Sequence, residues 1–144
     1  MVLIVEPDDD VALRLTASLD HVEDVRRCRS FHDGREQLRQ SAPDLLVSNL
    51  RLREYNGLQL VYLADNAGSP MRAIIYTMTL EIALARDVQR AGAFYDTADC
   101  LEVSLRAYLG TPLPASDRRD PHRRLRLKKP AGRRLTDLTD TSEL

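Results

Sequence analysis

Pro43-Asp44-Leu45-Leu46-Val47-Ser48-Asn49-Leu50-Arg51-Leu52-Arg53-Glu54-Tyr55-Asn56-Gly57 is the stretch on which the reading of this chain turns. Asp44 to Asn49 is a short run rich in Leu and Val, as expected of a strand buried on both faces. Leu50 to Asn56 then form a seven-residue loop. Asn56 is placed to cap a helix, because its side-chain oxygen can accept a free N–H of the first turn. Leu60, Leu63, Ala64 and Ala67 give that helix one apolar face, and Gly68-Ser69-Pro70 stops it.

The same alternation extends in both directions. Val2-Leu3-Ile4-Val5 is a first buried strand running into Glu6-Pro7-Asp8-Asp9-Asp10. Asp9 or Asp10 can cap the next helix, whose Val11, Leu15, Leu19 and Val22 fall at helical spacing. Residues 24–29 form a weak second strand whose arginines suit a sheet edge, and residues 33–41 a weak helix weakened further by Gly34. Ala73-Ile74-Ile75-Tyr76 is a buried strand ending at Thr77, followed by a helix lined by Leu80, Leu84, Val88 and Ala91 and closed by Gly92. Residues 93–97 make a fifth strand, and Leu101, Leu105, Tyr108 and Leu109 line a last helix ending at Gly110. Five strands alternating with five helices through short loops predict an α/β fold. Its parallel sheet is covered on both faces by right-handed crossovers.

A chain of 144 residues, 43% hydrophobic and 30% charged, has the length and composition of one globular domain. It has no apolar run long enough for a membrane span, and its first apolar run is too short for a signal peptide, so a cytoplasmic location is expected. Cys28 and Cys100 are too few for a disulfide framework and read as buried or half-buried thiols. The net charge of −1 conceals an asymmetry: residues 1–114 hold 12 Arg against 17 acids, and residues 115–144 hold 9 Lys and Arg against 5 acids. The only lysines are Lys128 and Lys129.

The Val5-Glu6-Pro7-Asp8 strand end, the Asn49-to-Gly57 spacing, Thr77 at a strand end and Ala91-Gly92-Ala93 before the fifth strand occur in the order of a known pattern. Over about residues 1–110 the chain resembles bacterial response-regulator receiver domains, the signalling modules of two-component phosphorelays. The resemblance implies a flavodoxin-like (βα)5 three-layer sandwich with strand order 2-1-3-4-5, and a site beyond the carboxyl ends of the strands. In that family a strand-end aspartate accepts a phosphoryl group from a histidine kinase. A magnesium ion is held by that aspartate and two acids after strand one. A hydroxyl after strand four and a lysine after strand five bind the phosphoryl oxygens.

The position of the acceptor aspartate is Asn49 here, and an amide is a poor nucleophile toward phosphorus. Glu6 matches the first acid, but Pro7 falls where the second is expected, with Asp8 next to it. Thr77 matches the hydroxyl, and the lysine position falls on Ala98 or Asp99. Arg53 stands where the family usually has proline, and Tyr95 or Asp96 falls near the family's switch aromatic. Charge clamping on the transferred group is most of the catalytic work in phosphoryl transfer, so the three losses at Asn49, Pro7 and the lysine position point to a degenerate site. Acids crowded without a metal or lysine repel one another, and an amide at position 49 relieves that repulsion. Glu6 and Asp8 remain weak candidates for holding a divalent cation, but no cofactor is expected.

His21, His32 and His122 lack ligand spacing, and Ser18, Ser48 and Ser104 lack a nucleophile motif, so an enzyme is not expected. The expected function is that of an atypical, non-catalytic receiver-like module working by phosphorylation-independent protein contact, with a histidine kinase, regulator or effector as partner. The face implied for output is roughly 79–109, where Glu81, Arg86, Asp87, Arg90 and Arg106 could pair across a homodimer. One alternative is a working phosphoreceiver with a rearranged acidic site using Asp8. Another is nucleic-acid binding through residues 111–144, a basic, proline-containing tail that reads as disordered. Its charges are Arg118, Arg119, Arg123, Arg124, Arg126, Lys128, Lys129, Arg133 and Arg134, without aromatic interleaving or a recognition fold.

Overall fold

In a computed structural model of the chain the described residues are 1–110, so the expectations for the tail lie outside them. Five parallel strands form the sheet: β1 (Val2–Val5), β2 (Val25–Cys28), β3 (Leu45–Asn49), β6 (Arg72–Thr77) and β7 (Phe94–Thr97). Their order is β2-β1-β3-β6-β7. A small antiparallel hairpin, β4 (Arg51–Leu52) and β5 (Tyr55–Asn56), occupies the expected loop and shifts the later strand numbers by two. With that renumbering, the order is the expected flavodoxin-like one.

The strands alternate with α1 (Asp9–Ala17), α2 (Phe31–Gln40), α3 (Leu58–Asn66), α4 (Ile82–Arg90) and α5 (Ala98–Gly110). Because successive side chains of a strand point to opposite faces, the central strands feed two cores. Leu3, Val5, Leu46, Ala73 and Ile75 pack with Leu60 of α3 and Val88 of α4. Val2, Ile4, Leu45, Val47, Ile74 and Tyr76 pack with Leu15 of α1 and with Leu101 and Leu105 of α5.

The helix ends correct several expectations. Asp8, rather than Asp9 or Asp10, caps α1: its Oδ1 accepts the N–H groups of Asp10 at 2.9 Å and Val11 at 3.1 Å. Asp9 is left in the first turn, where Arg27 and Arg29 bind its carboxylate. The cap position of α3 is Gly57, one residue past Asn56, although the Asn56 Oδ1 still accepts the Leu58 N–H at 2.7 Å. The buried face of α3 is therefore Leu58, Leu60, Val61 and Ala64, leaving Leu63 and Ala67 exposed. Leu80 precedes α4 instead of lining it and is exposed. Cys28 is half-buried as expected, and burial pushes its thiol pKa up; Cys100, on the outer side of the first turn of α5, is exposed.

Candidate functional site

Strand register places three residues side by side at the carboxyl edge of the sheet. Ile4 pairs with Val47, so Glu6 follows β1 level with Asn49, and Asn49 pairs directly with Tyr76. All three have the parity of Ile4, Val47 and Ile74, so they share the face covered by α1 and α5. Glu6 is 1% exposed. A buried carboxylate needs hydrogen-bond donors, and this one has three. Its Oε1 accepts the Asn49 Nδ2–H at 2.9 Å and the Tyr76 hydroxyl at 2.6 Å, and its Oε2 accepts the Asp8 N–H at 2.8 Å. Burial, and then the Glu6 charge, push the Tyr76 phenol pKa far above its usual range, so it stays a proton donor.

The Asn49 amide is used at both ends: its Oδ1 accepts the Arg51 N–H at 3.0 Å. Arg27 Nη2 reaches the Glu6 carbonyl at 2.8 Å while its Nη1 holds Asp9 at 2.7 Å, tying the β1–α1 turn to β2. The two arginines on Asp9 hold its carboxyl below the ordinary 3.8.

A magnesium ion, which the resemblance implies, takes an octahedral set of hard oxygen ligands. The residues present do not fit it. Both Glu6 oxygens face N–H or O–H donors, Pro7 offers no side-chain ligand and Asp8 spends its Oδ1 on the helix cap. Asn49 turns its NH2 toward Glu6, the reverse of what a shared cation requires. No group of three His, Cys, Asp or Glu converges as a metal set among the described residues.

Beside this row lies a recess of about 520 Å³ lined by Asn49, Arg51, Thr77, Met78, Thr79 and Glu81. A neighbouring one of about 320 Å³ is lined by Glu6, Pro7, Asp8, Val11, Asn49, Arg51, Arg53 and Met78. Arg51 spans the mouth of the first, with Nη2 at 2.8 and 3.0 Å from the two Glu81 oxygens. Inside, the Thr77 hydroxyl donates to the Thr79 carbonyl at 2.6 Å. A hydroxyl has one proton, so in the close Thr77–Tyr95 contact it is the Tyr95 hydroxyl that donates. Tyr95 Oη in turn accepts the Glu81 N–H at 3.0 Å. Thus Tyr95, rather than Asp96, reaches Thr77; Asp96 accepts from Thr97 N and the Ser104 hydroxyl.

Among the described residues no cation stands where the lysine position falls. Ala98 is buried in the α1–α5 core, and Asp99 is exposed, 3.8 Å from Arg14. Of the expected interaction charges, Glu81 turns to Arg51, and Arg106 is bound to Asp20 and the Ser18 carbonyl beside α1. Asp87 pairs with Arg90 on α4, and Arg86 is exposed. Glu81 and Arg106 thus have partners outside the 79–109 segment, Arg51 and Asp20.

Arg53 and Gly57 explain the hairpin. Arg53 begins the two-residue turn between Leu52 and Tyr55 with φ 62°, a conformation proline cannot adopt. A Cβ on Gly57 would overlap the Asn49 carbonyl oxygen and come within 2.9 Å of Ser48 Oγ. Tyr55 stacks on Phe31 with ring centroids 4.5 Å apart, and His32 meets Tyr55 edge-on, fixing the hairpin to α2. Sequence reasoning missed Tyr76 and Arg51. The available signal for Tyr76 was a hydroxyl within an otherwise apolar strand, one residue before Thr77.

No family model matches the chain, and no curated protein matches its sequence. Solved structures do. The signal receiver domain of a DNA-binding response regulator (merR) from Colwellia psychrerythraea 34H is 18% identical with TM-score 0.66, covering 76% of this chain and 98% of that one. A LuxR-family two-component response regulator from Aurantimonas is 20% identical with TM-score 0.64, covering 76% and 84%. The response regulator domain of Thermotoga maritima CheB is 18% identical with TM-score 0.65, covering 76% and 92%. The chain has the receiver fold.

Proposed function

We propose that this receiver-fold chain is a signalling module that works through protein contact without accepting a phosphoryl group or binding a divalent cation. The observation that carries this reading is the hydrogen bond from Asn49 Nδ2 to Glu6 Oε1. An acceptor must present a carboxylate oxygen outward to phosphorus, with a cation beside it to neutralise the developing charge. Here position 49 presents an N–H donor inward, and Glu6 uses that donor in place of a cation. Thr77, the remaining phosphoryl-binding position, spends its proton on Thr79. The pocket's polar groups are thus committed to one another.

The test is incubation of the full chain with acetyl phosphate and magnesium, followed by intact mass measurement. The expected result is an unchanged mass. A labile gain of one phosphate, lost on brief alkaline treatment, would show a working acceptor and overturn the reading.

A further inference from the structure

The segment joining β6 to α4 divides its residues by position. Its polar ties sit at odd positions: the Thr77 hydroxyl donates to the Thr79 carbonyl, and Glu81 is held at its N–H by Tyr95 and at its carboxylate by Arg51. Its large apolar side chains sit at even positions and face solvent: Met78 is 48% exposed, Leu80 67% and Ile82 62%. Three neighbouring exposed apolar residues on a segment tied down at three points form a surface whose ordering cost is already met. Such patches mark interaction sites, and preorganisation raises the affinity they can reach.

Two cations flank this surface. Arg53 shares the smaller recess with Met78, and Arg86 lies one helical turn from Ile82 on the same face of α4. Both are exposed, and neither has an ion-pair partner among the described residues. Met78 also forms a wall of both recesses, so the surface is grooved and can seat a side chain.

We propose that Met78, Leu80 and Ile82, with Arg53 and Arg86 at the rim, dock an amphipathic helical segment of a partner protein that carries carboxylates beside its apolar stripe. The recesses favour an inserted side chain over a flat lipid surface, and the rim charges favour an acidic segment. This rests on the protein-contact reading above and names its surface and partner chemistry. Apolar side chains spaced three and four apart would meet the loop residues, and acids on either side would reach the arginines.

The experiment is a selection of displayed random helical peptides against the full chain, with recovered peptides mapped by methyl-resolved NMR. The expected peptides combine an apolar stripe with acids and shift the Met78 and Ile82 methyl signals. Their affinity is expected to fall about tenfold or more in Leu80→Glu, the loss usual for a central apolar contact, and to stay unchanged in Val103→Glu. Both sites are exposed, Val103 at 85%, so neither change endangers the fold. Peptides that bind Leu80→Glu equally well, or that shift only methyls elsewhere, overturn the proposal. Leu80-dependent sedimentation with phosphatidylserine vesicles, without peptide binding, also overturns it, in favour of a lipid surface. A phosphate gain in the mass experiment would instead sink the phosphorylation-independent reading and leave this surface standing.

Discussion

Asn49 and Tyr76 act on one atom, the Glu6 Oε1, and their value lies in being donors. Asn49→Asp keeps the shape but sets a carboxylate against Glu6 where the amide NH2 now sits at 2.9 Å. We expect that variant to lose about 2–4 kcal/mol at neutral pH, as for a buried charge deprived of its partner. Urea unfolding of the variant beside the wild type at pH 7 measures that loss. The variant is not expected to gain phosphate from acetyl phosphate, because Pro7 stands where the second acid is expected and no lysine joins the site among the described residues. Tyr76→Phe removes one donor without adding charge and should cost about 1–3 kcal/mol, the range for a buried acceptor left short of a partner. If both variants unfold at the wild-type midpoint, the donor row contributes nothing to stability.

At the scale of elements, the loop between β3 and α3 is where the chain departs most from expectation. Seven residues that read as a loop fold into a two-residue-turn hairpin. That turn needs a positive φ at Arg53, so the proline common in the family cannot be accommodated there. The hairpin brings Gly57 against the Asn49 carbonyl, and this close approach, rather than a special dihedral, requires the glycine. Gly57→Ala should therefore destabilise by about 2–3 kcal/mol through overpacking, while Asn56→Ala loses only the Leu58 cap bond and should cost about 1 kcal/mol. Thermal unfolding of the two variants side by side tests that order. Equal losses would mean that the backbone gives way easily and the contact is not tight.

For the whole molecule, acid sensitivity has a locatable source. Asp9, bound by Arg27 and Arg29, has its carboxyl pKa lowered below 3.8 in the folded state. A group shifted that way adds stability that is fully present above its unfolded pKa and lost as pH falls through the lower folded one. The wild-type melting temperature should thus exceed that of Asp9→Asn above pH 5, with the gap closing below about pH 3.8. A constant gap across that range would place the effect in packing. The same pair joins α1 to the edge strand β2, so the change should also speed amide exchange along Val25–Cys28.

Composition and periodicity by themselves determined the α/β alternation, four of the five sheet strands within a residue or two and β2 only weakly. The resemblance to receiver domains, taken residue by residue, implied a site without its acid at Asn49, its second ligand at Pro7 and its lysine at Ala98 or Asp99. Those are properties of residue identity and of spacing along the chain. The tertiary structure decided what Asn49 does instead, because its partners are distant in sequence: Glu6 lies 43 residues from Asn49 and 70 from Tyr76. It also assigned Asp8 to a helix cap, Arg51 to Glu81 and Tyr95 to Thr77. The Glu6–Asn49–Tyr76 row and the Thr77–Tyr95 contact follow from strand register, and a shift of one residue would turn Asn49, Tyr76 and Tyr95 to the other face.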